Sequence, residues 1–141
     1  MIGEARRAEI AANWAAVQQL IATSCAAAGR SLDEVTVVAV TKTFPATDVG
    51  HLAALGLREV GENRHQEAAP KAAECSAAGI VGLQWHFVGQ LQSNKAAAVA
   101  AYADVVHAVD RACTAESEHL YSHRRDGITG RFAGLALLAP Q

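Results

Sequence analysis

The segment Val35-Thr-Val-Val-Ala-Val40 limits the fold of this chain more than any other. It is largely β-branched and has apolar residues at odd and even positions alike. A strand built from it has no face to give to water, which is the pattern of a buried strand in a parallel sheet. Three further runs, Leu57–Val60, Leu83–Val88 and Val105–Val109, read as further strands. Helical patterns separate them. Ile10, Trp14, Val17 and Ile21 recur at three- and four-residue steps and predict a helix over Glu4–Ala28, stopped by Gly29. A second helix is expected over Val49–Leu55, with Pro45 suited to its first turn, and Gly56 ends it. A third is expected over His65–Ala78, starting or bending at Pro70. A fourth runs from Asn94 to Ala103 with Ser93 as its cap, and a fifth from Arg111 to Tyr121.

After the first helix the order is strand, helix, four times over. Repeated βα units make a parallel sheet with right-handed crossovers. Both a doubly wound sheet and a (β/α)₈ barrel begin this way. No GxGxxG joins the first strand to its helix, which counts against dinucleotide binding. Eight βα units need about 200 residues, and this chain of 141 offers four clear ones. Phe132–Leu138 reads as a fifth strand or an apolar end. Four strands alone leave an open edge, through which chains can associate.

Composition excludes several functions. The net charge is −2 with acids and bases interleaved, so no basic stripe speaks for nucleic acid. Cys25, Cys75 and Cys113 are odd in number, and no pair has metal-ligand spacing. They are expected to be reduced thiols in a cytoplasmic protein. Met1–Ile10 lacks the apolar core of a signal peptide. No apolar run approaches the ~20 residues that cross a membrane.

The polar residues cluster where βα folds bind ligands. Lys42, Asn63, the loop Gln90–Lys95 and Asp110 all follow the C-terminal ends of expected parallel strands. Lys42 comes directly after a buried strand and is expected to be partly buried itself. Desolvation then favours the neutral amine, the form that attacks a carbonyl. A lysine that snorkels to the rim is the plain alternative.

The string Val38-Ala-Val-Thr-Lys42-Thr-Phe-Pro-Ala46 resembles the cofactor-lysine strand of the pyridoxal phosphate homeostasis proteins, a YggS-like family related to the N-terminal domain of alanine racemase. Gly61-Glu-Asn63 with Gln66-Glu67 resembles that family's second signature. Leu83–Gly89 followed by Leu91–Lys95 resembles its third, and Val106–Arg111 its fourth-strand end. The resemblance covers roughly residues 5–112 and implies the following. The fold is an N-terminal helix followed by the first half of a (β/α)₈ TIM-type barrel. Residues 1–111 are the barrel part and 112–141 a divergent tail. Lys42 holds pyridoxal 5′-phosphate as a Schiff base. Members are monomers that bind the cofactor and help balance vitamin B6 and amino-acid pools, with no firm catalytic turnover, so no catalytic residue is assigned.

Around Lys42, Asn63 is expected to touch the cofactor ring or place the lysine; a strand-end cap is the alternative. His86 is expected below or beside the cofactor, or as a satisfied core histidine. Ser93 and Asn94 open a helix whose backbone N–H groups can hold an anion, or they serve as ordinary caps. Trp85 and Phe87 are expected to pack outward. The late barrel loops that grip the phosphate in the family are missing, at a cost of about 1.5–3 kcal/mol per charge-assisted bond. The chain therefore reads as a fragment in preference to a compact variant. Two other functions stay open: an amino-acid racemase or lyase, which needs a second acid/base group opposite Lys42, and an inactive fragment. Neither Tyr102 nor Tyr121 is placed for that second role.

Overall fold

The structure, a computed structural model, describes residues 2–107. It contains α1 (Ile2–Ala28), β1 (Ala39–Val40), α2 (Ala46–Ala54), β2 (Glu59–Glu62), α3 (His65–Ala77), β3 (Gln84–Val88), α4 (Ala96–Ala100) and β4 (Val105–His107). Short 3₁₀ turns at Leu32–Glu34 and Ser93–Lys95 precede β1 and α4. The expected helix over Arg111–Tyr121, the segment Phe132–Leu138 and Cys113 lie outside the described residues.

The four strands are parallel and lie in chain order, β1-β2-β3-β4. Each strand neighbours the next one in sequence, without the reversal that marks a doubly wound sheet. Right-handed crossovers in such an order put the intervening helices on one face. On that face Val49, Val60, Cys75 and Trp85 form the core, with Ala46, Ala72, Ile80, Leu83 and Tyr102 against it. Phe87 is buried as well, so Trp85 and Phe87 pack as expected. Cys25 and Cys75 are free buried thiols.

The other face is built around Gly61. A Cβ placed there would meet Val38 Cγ1 at 3.2 Å, Val40 Cγ2 at 3.4 Å and Val88 Cγ2 at 3.5 Å. Three valines from β3 and the β1 segment thus close over a residue with no side chain, and they make an apolar floor.

Three sequence expectations change. The strand expected over Val35–Val40 keeps only Ala39–Val40, because the register pairs Ala39 with Val60. That register sets Thr36 and Val37 opposite Leu57 and Arg58, where the chain is still leaving α2. The second strand is shifted forward: Gly61 and Glu62, expected to close it, are its last two residues. Ser93 does not cap a helix over Asn94–Ala103. It begins the 3₁₀ turn, and α4 follows it with no side-chain cap.

Helix α1 is tied to the sheet's C-terminal end by Arg6. Its Nη2 and Nε donate to Asp48 Oδ2 of α2 at 2.6 and 3.1 Å, and its guanidinium lies 5.4 Å from the centre of the Phe44 ring. The Asp48 hydrogen bond, followed by the one to Glu9, holds the guanidinium above its usual range.

Gly61→Ala should lower stability by about 1–3 kcal/mol, since the added methyl crowds Val38 Cγ1 at 3.2 Å and two further valines. The urea midpoint measures this.

Candidate functional site

The segment after β1 forms a pinned turn. Thr41 extends the ladder by one bond, its N–H donating to the Gly61 carbonyl at 2.9 Å. The Thr41 carbonyl accepts from Phe44 N–H at 3.1 Å, which closes a β-turn over Lys42 and Thr43. Thr43 has φ 68°, a left-handed conformation that a β-branched residue rarely adopts. Such strain costs of order 1–3 kcal/mol and persists only where the surroundings impose it.

The surroundings here are a buried ion pair. Lys71 Nζ donates to the Thr41 carbonyl at 2.8 Å and to Glu62 Oε1 at 2.5 Å. Thr41 Oγ1 donates to the same carboxylate oxygen at 2.6 Å. Glu62 is 1% exposed and Lys71 8%. Among the described residues, Glu62 Oε2 has no hydrogen-bond partner.

Lys42 itself is exposed. This corrects the expectation of partial burial, and with it the desolvation argument for a neutral amine. The physical reason is the short β1: Lys42 has left the sheet and rides at the second position of the turn. Asn63 follows the end of the neighbouring strand, half-buried against Gly89. With Phe87, Gln90, Gln92 and Lys95 it lines a cavity of about 190 Å³. Ser93 and Asn94 are exposed beside it. Lys42, Asn63 and the Gln90–Lys95 loop thus share the C-terminal rim of the sheet. A larger cavity, about 480 Å³, lies at the opposite end between Trp14 and Ile21 of α1 and the start of β2. It is a gap under α1, remote from the polar rim.

His86 does not reach that rim. It sits within β3, on the Gly61 face of the sheet, and both its ring nitrogens are engaged. Nε2 is 2.5 Å from Glu59 Oε2, and Nδ1 is 2.8 Å from His107 Nε2. His107 Nδ1 is buried without a partner among the described residues. A lone pair is cheaper to leave unpaired there than a proton, so His107 is assigned its proton on Nε2. It donates to His86, which donates to Glu59. Burial, and secondarily the neighbouring His86, push the His107 pKa below 6.5. Asp110 lies outside the described residues.

The Glu62–Lys71–Thr41 cluster was missed by sequence reasoning, although a signal existed. Ala68, Lys71, Ala72 and Cys75 fall on one stripe of α3, three or four residues apart, and a lysine on an apolar stripe calls for a buried acid. Among the described residues no three His, Cys, Asp or Glu side chains gather to hold a metal ion, and no helix is long and apolar enough to cross a membrane.

Comparison with known proteins gives two likenesses. Residues 57–139 match the family model described as multi-copper polyphenol oxidoreductase laccase. The chain is also 43% identical over 112 residues to the pyridoxal phosphate homeostasis protein of Mycobacterium tuberculosis strain H37Rv, covering 74% of this chain and 43% of that one. It is 42% identical over 103 residues to the protein of the same name from Escherichia coli K12, covering 73% and 44%. The chain therefore spans less than half the length of these relatives. Among solved structures, PipY of Synechococcus elongatus PCC7942 with PLP bound is similar at a TM-score of 0.53 and 37% identity, over 64% of this chain and 42% of that one. A crystal structure of an unknown protein from Bifidobacterium adolescentis is similar at 0.64 and 33%, over 75% and 46%. The second likeness covers the larger share of the chain and includes the fold.

The lowered pKa of His107 makes stability depend on pH. Unfolded, the imidazole takes a proton as pH falls through about 6.5; folded, it resists until lower pH. Stability is therefore full above about 6.5 and falls as pH drops through the lowered value. His107→Gln should flatten this acid limb, read as urea midpoints at neutral and mildly acidic pH.

Proposed function

Because the chain belongs to the pyridoxal phosphate homeostasis protein family, we propose that it binds pyridoxal 5′-phosphate through Lys42 and serves vitamin B6 homeostasis in the cytoplasm. The observation that carries this reading is the accessible Lys42 amine, held on a pinned turn at the C-terminal rim beside Asn63. Parallel βα folds bind ligands at that rim. In this reading residues 1–111 are the first half of a (β/α)₈ barrel, and 112–141 a divergent tail.

The residues present fit the cofactor. The floor of Val38, Val40 and Val88 over Gly61 is apolar, as the face of a flat ring requires. Bound pyridoxal phosphate supplies an aldehyde and an electron-withdrawing ring. Lys42, the accessible amine on the turn, would hold that aldehyde as a Schiff base. Asn63 offers an amide to orient the ring. Ser93 and Asn94 stand at the edge of the site, and His86, held by Glu59 and His107, supports the sheet below it.

A carrier fits better than a racemase. Tyr102 packs with the Val49–Trp85 core on the helix side of the sheet and stacks on His65, 5.8 Å between ring centres. Burial, and then the charge of Glu62, raise its pKa. It is not placed to exchange protons opposite Lys42. The match over residues 57–139 raises a copper oxidoreductase as a second reading. Among the described residues no three His, Cys, Asp or Glu side chains gather to hold a metal ion, and residues 108–139 of that match lie outside them.

Titration with pyridoxal phosphate should develop a new absorbance band at the visible edge, absent in Lys42→Ala. An identical band in that variant would refute the reading. Stoichiometric copper in the purified protein with phenol-oxidising activity would favour the oxidoreductase.

A further inference from the structure

The Glu62–Lys71 pair needs a reason beyond stability. Two charges removed from water cost several kcal/mol each, and a buried pair is often no better than apolar residues of the same size. Methionine at 71 would suit the stripe of Ala68, Ala72 and Cys75. What methionine would not do is reach across from α3 to the Thr41 carbonyl.

That carbonyl is the hinge of the site. It belongs to the residue before Lys42 and accepts two bonds at once, from Phe44 N–H at 3.1 Å and from Lys71 Nζ at 2.8 Å. The side chain of the same residue is fixed to Glu62 Oε1 at 2.6 Å, and Lys71 closes the triangle at 2.5 Å. Both the peptide plane entering Lys42 and the Thr41 side chain are therefore set by charged groups on two other elements. Directly after Lys42, Thr43 stands at φ 68°. Without Lys71 and Glu62 the strained residue is freer to return to negative φ, and the turn carrying Lys42 changes direction.

We propose that Lys71 and Glu62 are positioning residues for Lys42: they lock the Thr41–Phe44 turn so that the Lys42 amine is presented to a carbonyl ligand at the rim. This rests on the reading of Lys42 as the cofactor amine. Neither residue touches the ligand in this scheme. Lys71, buried and bonded to Glu62 and Thr41, is not itself a competing amine.

The test compares the wild-type chain with the double variant Lys71→Met/Glu62→Gln, which removes both charges together and leaves neither unpaired. A cooperative melt establishes that the variant is folded, and unchanged acetylation of exposed Lys42 by acetic anhydride establishes that its amine is as accessible as before. Hydrogen exchange of the Phe44 amide, which needs no cofactor, reads the turn. It should quicken about tenfold once a charged partner of its acceptor is lost. The rate at which pyridoxal phosphate reacts with Lys42 should fall by at least about tenfold, as expected when an orienting interaction is lost. Unchanged Phe44 exchange overturns the proposal, as does an unchanged reaction rate in a chain whose wild type reacts. If wild-type Lys42 does not react at all, the functional reading fails, and Phe44 exchange alone decides whether the pair holds the turn. Should the double variant not fold, Thr41→Val, which removes only the hydroxyl bond to Glu62, is read in the same two assays. A rate equal to wild type in both would then overturn the part assigned to Glu62.

Discussion

Under the first turn after the sheet lies a carboxylate that water cannot reach. Glu62 sits at the end of β2 facing the helices, and its charge is acceptable there only because Lys71 answers it from α3. The two spend part of their hydrogen-bonding capacity on Thr41, at the end of β1. One charge pair thereby ties two strands and a helix at the point where the chain turns outward with Lys42. The Arg6–Asp48 bridge and the Arg6–Phe44 contact hold the far side of the same turn. A β-branched residue in left-handed geometry survives between these anchors.

The sheet divides the labour between its faces. The helix side, with Val49, Val60, Cys75 and Trp85, supplies cohesion and carries the buried pair. The other side carries the valine floor over Gly61 and the hydrogen-bonded row Glu59–His86–His107. Because parallel strands in chain order have all their C-terminal ends on one edge, Lys42, Asn63 and the Gln90–Lys95 loop arrive there together. The rim's composition follows from topology, and the aim of its lysine follows from the buried pair.

Much of this was legible in the residues. Apolar runs located three of the four strands to within about two residues, and glycine and proline placed the breaks between elements. The motif around Lys42 pointed to the family. The first strand was overestimated, because β propensity in Val35–Val37 does not provide a partner to pair with. Lys42 was expected to be partly buried for the same reason, since a longer strand would have kept it in the sheet. The helix opening at Ser93 was misjudged because a polar residue before an alanine run looks like a cap whether or not its side chain bonds. The Glu62–Lys71 pair escaped because its members are nine residues apart on different elements, and each alone reads as a surface charge. Only the apolar stripe of α3 gave Lys71 away.

The most direct measurement traps the covalent bond itself. The chain has three lysines, Lys42, Lys71 and Lys95. Lys71 is buried in its ion pair, so the accessible lysines are Lys42 and Lys95. Incubation with pyridoxal phosphate, reduction with borohydride and peptide mapping by mass spectrometry should place the label on Lys42. Label on Lys95 equal to or above that on Lys42 would contradict the account.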